Sequence, residues 1–345
     1  MNRILLIGAI AVAILALVGV FALKPGAKVG APTHIVFATD WKAEAEHGGF
    51  YQALAKGYYK DAGLDVVIQQ GGPGVNVPQL LATDTVQFGI GSNSFIPLNV
   101  VAANAGSKAV AAIFQKDPQV LIAHPRDDVK SIADMKGKPI MVADATVSSF
   151  WPWLKAKYGF TDDQIRKYTF NLAPFLTDDK AIQEGYLSSE PYTIEKEGKF
   201  KPQVFLLSDY GYPGYAAFIM ANEKLIAEHP EIVQKFVDAS IRGWVDYLYG
   251  DPSPANALIK KDNAEMTDDL LAHAIATIKE HGIVDSGDTE KLGIGAMTDA
   301  RWTDFYDSMS AAGVFAKDLD VHKAYTLAFV NKGVGNDMKK ELTGK

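Results

Sequence analysis

Two turn-rich interruptions in an otherwise regular alternation of strand-like and helix-like segments constrain this chain more than any other feature. Residues 34–38, 64–68, 86–91 and 109–114 are short apolar runs. Between them, residues 47–62, 77–82 and 95–105 space their apolar side chains as helices do, with Phe50, Tyr51, Leu54 and Tyr58 on one face of the first and Gly63 ending it. Such a βαβα series requires a mainly parallel sheet covered on both faces. One more apolar run, 120–123, is then broken by His124-Pro125-Arg126-Asp127-Asp128. A second series follows: strand 140–143, helix 149–158, strand 168–170, a helix near 179–186 and strand 204–207. Residues 208–215, with Gly211, Pro213 and Gly214 among three tyrosines, interrupt the pattern again before strand 217–221. Beyond it, Ile232, Val233, Phe236, Val237, Ile241, Trp244 and Leu248 recur at helical spacing, and 266–281 and 300–312 repeat the habit, with Trp244 and Trp302 expected in the core. The fold class expected is α/β: a clamshell of two lobes joined by two interlobe crossings. Residues 32–123 and 215–345 form lobe 1 and residues 124–214 form lobe 2.

The chain opens differently. Residues 4–23 carry no charge, follow Met1-Asn2-Arg3 and precede Lys24-Pro25-Gly26, the layout of a secretory leader. The run also matches the ~20 apolar residues that cross a hydrocarbon core. Residues 1–31 are therefore read as a signal peptide or N-terminal membrane anchor. The remainder is exported to the periplasm, tethered to the inner membrane if the segment is retained. The roughly 315 residues beyond it exceed the ~250–300 at which a single core stops growing, which independently calls for two lobes.

The absence of cysteine excludes a disulfide framework, a thiolate metal site, a thiol nucleophile and a lipid-attachment cysteine. Without residues 1–31 the chain has 31 basic and 41 acidic residues, a balance of −10. Such a body repels nucleic acid and anionic lipid, so neither is expected as a partner, and a membrane enters only through the leader or a permease. Gly71-Gly72-Pro73-Gly74 lacks the Lys-Ser/Thr of a phosphate loop, and no ligand spacing for a metal surrounds His47. No metal, cofactor or catalytic triad is expected.

The runs "TDWKAEAEHGGFYQALAKGYYKDAGLDVVIQQGGPGVN", "VQFGIGSNS", "EGYLSSEPY", "LLSDYGYPGYAAFIMANEKLIAEHPEIVQKFVDASIRGW" and "RWTDFYDSMSAAGVF" resemble, in order and spacing, the periplasmic-binding family that serves thiamine-pyrimidine, riboflavin, sulfonate, taurine and nitrate importers. The resemblance spans residues 33–332 and implies the type II-like periplasmic-binding-protein clamshell. It also implies a non-enzymatic receptor that hands a small molecule to the permease and ATPase of an ABC importer. The "DW…HGGFY" and "SSEP" segments are most similar to members that bind thiamine-precursor pyrimidines. A related branch of pyrimidine-forming enzymes carries a cysteine-rich motif that this chain lacks.

In open α/β sheets the carboxyl ends of strands and the first turns of helices face the crevice, which selects the candidate ligand residues. Trp41, after the first strand, offers a ring for stacking or closes a lobe edge. His47 starts a helix beside Gly48-Gly49, whose missing side chains allow a ligand close to the backbone; otherwise it caps the helix. Tyr51, one turn on, serves the cleft or the core. Asn76 is a helix cap or a ligand contact, and Ser92 and Asn93 at a strand end have the same two readings. Ser148, Ser149 and Trp151 occupy a first helical turn in lobe 2, facing Trp41 across the cleft or forming an ordinary cap over a buried indole. Glu190 pairs with an aminopyrimidine or is an exposed loop acid; with the resemblance, ligand pairing is the reading taken. Tyr186, Tyr210 and Tyr212 lie near the crossings, the first two being carried forward as candidates. The other acids and lysines are read as solvated faces. None of the five arginines (3, 126, 166, 242, 301) falls at a candidate position, which favours a planar heteroaromatic over an oxyanion; Lys42 and Lys116 keep sulfonate, taurine or nitrate open, and riboflavin stays open too.

Overall fold

The computed structural model describes residues 31–72, 74–169 and 171–344. The apolar run 4–23, and with it the expected leader or anchor, lies outside the described residues. The architecture below is that of the compact unit His34–Lys345. Among the described residues no helix is long and apolar enough to cross a membrane.

The strands are β1 (Thr33–Ala38), β2 (Leu64–Gln69), β3 (Phe88–Asn93), β4 (Ser107–Phe114), β5 (Gln119–Ala123), β6 (Ile140–Val142), β7 (Ile165–Lys167), β8 (Ile182–Tyr186), β9 (Gln203–Leu206) and β10 (Ala216–Asn222). They form two five-stranded sheets, ordered β2-β1-β3-β10-β4 and β7-β6-β8-β5-β9. Each sheet is mixed. β1 and β3 run parallel with Phe37 opposite Phe88, whereas β10 inserts antiparallel between β3 and β4, Phe218 facing Gly91 on one side and Ala112 on the other. In the second sheet β6 is parallel to β7 and β8, and β5 is antiparallel to both β8 and β9.

Two sequence expectations are corrected here. The run 120–123 belongs to the second sheet, where Val120 pairs with Gly185 and Leu206; it does not close the first. The first crossing is therefore the four residues 115–118, between β4 and β5, and the turn at 124–128 follows a strand already in the second lobe. The segment near 179–186 is strand β8 and not a helix. Its Ile182, Gln183 and Glu184 are buried at the centre of the sheet, and this burial overrides the polar look of "DDKAIQEGY". The return crossing falls at 207–215, and β10 rejoins the first sheet as its sequence indicated.

Aromatic packing fixes the first lobe. The helix Pro230–Tyr249 buries Val233, Phe236, Val237, Ile241 and Trp244, the stripe that its 3.6-residue periodicity requires. Phe236 stacks on Phe88 at 4.0 Å and 6°, and Phe50 meets Trp244 edge to face. Trp244 and Trp302 are fully buried. The second lobe keeps a smaller apolar cluster of its own, Val120, Ile122, Phe175, Ile194 and Leu206.

Arg301, on the helix Asp299–Ala311, straps the two crossings together. Its Nη2 donates to the carbonyl oxygen of Gln115 in the first crossing and, at 3.4 Å, to that of Gly214 in the second. The guanidinium carbon lies 3.9 Å from the centroid of the Tyr215 ring. One cation thus restrains both hinge segments.

Candidate ligand-binding cleft

A cleft of about 770 Å³ opens between residues carried by the two sheets, within the ~300–1,000 Å³ typical of small-molecule sites. The first lobe contributes Asp40, Trp41, Glu44, Glu46 and His47 from the segment after β1, Gly72 and then Gly74 to Pro78 around the start of the helix Val77–Ala82, and Ile90, Ser92 and Ile96. The second contributes Ala143, Asp144, Lys167, Tyr168, Thr169, Glu184, Gly185, Tyr186, Ser189 and Glu190, with Gln119 beside the crossing.

The Trp41 segment is clamped before any ligand arrives. The Thr39 hydroxyl donates to the Trp41 carbonyl at 2.6 Å, and the Gly71 amide donates both to that carbonyl, at 3.0 Å, and to the Thr39 hydroxyl, at 3.1 Å. A methyl group on Gly71 would stand 2.3 Å from the Thr39 carbonyl oxygen, so this close passage requires glycine. Trp41 also donates a side-chain hydrogen bond to Glu44. His47 is buried, its Nε2 3.3 Å from Asp40 Oδ1, and its Nδ1 has no hydrogen-bond partner.

Of the sequence candidates, Trp41, His47, Asn76, Ser92, Tyr186 and Glu190 line this cleft. Asn76 has both roles that were open for it, since its Oδ1 accepts from the Gln79 amide at 3.1 Å while the residue borders the cavity. Tyr51, Asn93, Ser148, Ser149, Trp151 and Tyr210 are not among the lining residues. Tyr51 points into the first lobe and donates to Asp262 at 3.0 Å. Asn93 turns back to accept from the Phe95 amide. In lobe 2 a short 3-10 segment, Asp144–Ser148, intervenes before the helix Phe150–Tyr158. It spends the Ser149 hydroxyl on the Thr146 carbonyl, leaves Ser148 exposed and buries Trp151, whose indole donates to Asp162 at 3.1 Å. Tyr210 packs near Phe205 and its carbonyl accepts from Lys157. Gly48 and Gly49 do admit a close neighbour, but it is protein: side chains there would stand 2.1 Å from the Tyr247 ring and 2.2 Å from the Trp244 ring.

What the sequence reading missed is the charge. Asp40, Glu44, Glu46, Asp144, Glu184 and Glu190 line the cleft, against one lysine, Lys167, which pairs with Asp144 at 3.0 Å. The sequence alone puts Glu46 and Glu184 on solvated faces, whereas both are buried. Glu184 accepts from the Ala143 amide at 2.7 Å and from the Thr146 hydroxyl, and burial pushes its carboxyl up to about 7. Glu190 is the first residue of the helix Glu190–Gly198 rather than a loop acid; it accepts from the Tyr186 amide at 2.7 Å, and burial raises it to about 7 as well, with added repulsion from Glu46. Burial first, then Glu46 and Glu190, hold Glu44 well above the carboxylate range. A signal was available for Glu184, an acid set in a strand between Ile182 and Gly185; Glu44 and Glu46 in "KAEAEH" carried none. Lys42 pairs outside the cleft with Glu265 at 3.0 Å, and Lys116 donates to the His281 carbonyl at 2.9 Å. Among the described residues no group of three or more His, Cys, Asp or Glu side chains is arranged to hold a metal ion.

Two sheets joined by two crossings, with a cleft at the crossings, define the periplasmic-binding-protein fold. The periplasmic aliphatic sulphonate binding protein SsuA of Escherichia coli shares it with a TM-score of 0.65 at 12% identity, over 86% of this chain and 92% of that one. Residues 44–255 match the NMT1/THI5-like family, and the chain belongs to it. The riboflavin-binding protein RibY of Chloroflexus aurantiacus is 26% identical over 309 residues, 87% of this chain and 86% of that protein. A 4-amino-5-hydroxymethyl-2-methylpyrimidine phosphate synthase of Candida albicans is 25% identical over 256 residues, 68% of this chain and 73% of the synthase. The formylaminopyrimidine-binding protein of Halalkalibacterium halodurans is 24% identical over 226 residues, 63% and 66% of the two chains.

Proposed function

We propose that this protein is the extracytoplasmic receptor of an ABC importer and that its cleft captures a small planar nitrogen heterocycle, a thiamine-precursor aminopyrimidine, for delivery to a permease and ATPase. The observation that carries the reading is the pairing of aromatic rings with carboxylates: Trp41 from one lobe and Tyr168 and Tyr186 from the other share the cleft with Glu44, Glu46, Glu184 and Glu190. An aminopyrimidine matches a carboxyl that holds a proton, as burial favours at Glu184 and Glu190: its amino N–H donates to one oxygen while its ring nitrogen accepts the proton carried by the other. Sulfonate, nitrate and taurine bring an anionic head to a cleft whose lysine is already paired, and Lys42 and Lys116 do not line it. The chain also lacks the cysteines that mark the pyrimidine-forming branch, which supports a receptor over a synthase.

Riboflavin is the second reading, favoured by a cavity roomier than a single pyrimidine ring requires and by the extent of the match to RibY. In either case each lobe supplies part of the contact set, so ligand favours the closed form only through the contacts that bridge them. Moving the lobes from 1:99 to 99:1 closed takes about 5.5 kcal/mol of differential binding. Thermal shift and calorimetry against 4-amino-5-hydroxymethyl-2-methylpyrimidine, riboflavin, taurine and nitrate test the proposal. Stabilisation by the pyrimidine is the expected result; stabilisation by the anions alone overturns it.

A further inference from the structure

Beside the cleft runs a second meeting of the lobes, separate from the hinge crossings. Ser188, in the turn between β8 and the helix Glu190–Gly198, donates from its hydroxyl to Glu46 of the first lobe, and both residues are buried. Farther along the same seam, Tyr192 of that helix stacks on His273 of the helix Asp268–Glu280, with ring centroids 4.3 Å apart and 22° between planes. Beside the Ser188–Glu46 bond, Met266, Leu270, Leu271 and Ala274 line a gap with no room for a water molecule. The lobes thus meet at a dry hydrogen bond and, separately, at a ring stack.

Glu46 belongs to both settings: it lines the cleft and it ends the seam. It has no salt-bridge partner among the described residues, and it repels its neighbour Glu44 and, across the cleft, Glu190. Closing the lobes removes this carboxylate from water, a cost that needs a donor in return. The donor is Ser188, and it sits on the opposite lobe.

We propose that Ser188 is a positioning residue for binding: by donating to Glu46 across the seam it fixes a cleft carboxylate only in the closed form, and with the Tyr192–His273 stack it latches the lobes together. The part that concerns ligand contact rests on the cleft reading above, whereas the latch stands without it. Because the chain contains no cysteine, Lys60→Cys and Glu197→Cys, both exposed and on opposite lobes, allow one fluorophore pair to report closure in the full-length ligand-free protein by single-molecule energy transfer. A hydrogen bond to a charged group corresponds to about a tenfold change in an equilibrium constant or somewhat more. In Ser188→Ala the closed-to-open ratio is therefore expected to fall about tenfold, and Ser188→Thr, which keeps the hydroxyl, is expected to restore it. His273→Ala, at the other end of the seam, is expected to lower the ratio severalfold and serves if Ser188→Ala does not fold. The affinities of riboflavin and 4-amino-5-hydroxymethyl-2-methylpyrimidine are expected to fall by one common factor, leaving their ratio unchanged. Folded Ser188→Ala with wild-type populations overturns the latch. If neither compound binds the wild type, the ligand reading fails, and the population shift still decides the latch.

Discussion

Glu184 gives the most quantitative handle on the cleft. It is 4% exposed, and no cation is among the groups that set its pKa. Raising a carboxyl from 4.5 to about 7 corresponds to about 3 kcal/mol, since each pH unit is worth 1.36 kcal/mol. The sign follows from proton linkage. Between pH 4.5 and 7 the folded chain holds a proton that the unfolded chain has released, so stability falls as pH rises and the full cost is present above about pH 7. Glu184→Gln removes that cost and loses about 1 kcal/mol where the amide cannot accept from both the Ala143 amide and the Thr146 hydroxyl. The variant is therefore expected to be more stable than wild type by about 2 kcal/mol at pH 8.5, a rise of about 3 °C in Tm, and to lose that advantage by about pH 5. Differential scanning fluorimetry of both proteins from pH 5 to 8.5 in a ligand-free preparation measures it. A Tm difference that does not change with pH refutes the reasoning, because a packing or hydrogen-bond effect alone has no reason to follow the titration.

Trp41→Ala is expected to weaken the aromatic ligand at least about tenfold in calorimetry while leaving Tm within about 2 °C, since an aromatic pair adds ~0.5–1.5 kcal/mol beyond the area it buries. Wild-type affinity together with a clearly lowered Tm in Trp41→Ala would instead make it a lobe-edge residue. Lys42→Ala and Lys116→Ala are expected to leave affinity within about twofold, as exposed ion pairs contribute little; a large loss in both would revive the oxyanion reading. Arg301→Ala frees the Gln115 and Gly214 carbonyls and is expected to lower stability by about 1–3 kcal/mol and to broaden the interlobe distance distribution. An unchanged distribution would make Arg301 a packing residue of its helix.

The alternation of apolar runs and turns carried the architecture to the level of two lobes and two crossings. It failed where pattern and partner separate. The run 120–123 reads as a buried strand in either sheet, and only its pairing with β8 and β9 decides which. Residues 115–118, Gln-Lys-Asp-Pro, cross between the lobes with a single proline as signal. The site followed the same division. Of the candidates chosen for lying at the carboxyl end of a first-lobe strand or at the helix start after it, Trp41, Asn76 and Ser92 line the cleft, where sheet geometry puts that position, while Asn93 turns back to the Phe95 amide. Candidates chosen on the expected helix start in lobe 2 do not, because the segment Asp144–Ser148 displaces that start, and nothing in "ATVSS" distinguishes such a turn from the first turn of a helix.

Apart from Glu190, the buried acids were hard to read from the sequence for a different reason, and it bears on how a cleft lined by them would close. A carboxylate is ordinarily assigned to the surface because burying it without a cation is costly. Here the cost is concentrated in one place: Glu44, Glu184 and Glu190 all have pKa values raised by burial, and Glu46 and Glu190, from opposite lobes, repel each other. Without a ligand the closed cleft therefore opposes its own closure, while the proposed seam at Ser188 favours it. A ligand that brings N–H donors or positive charge relieves the repulsion only when both lobes reach it, so the same carboxylates that destabilise the empty form make closure depend on the ligand. An anion bound in their midst would deepen the repulsion and leave the lobes apart.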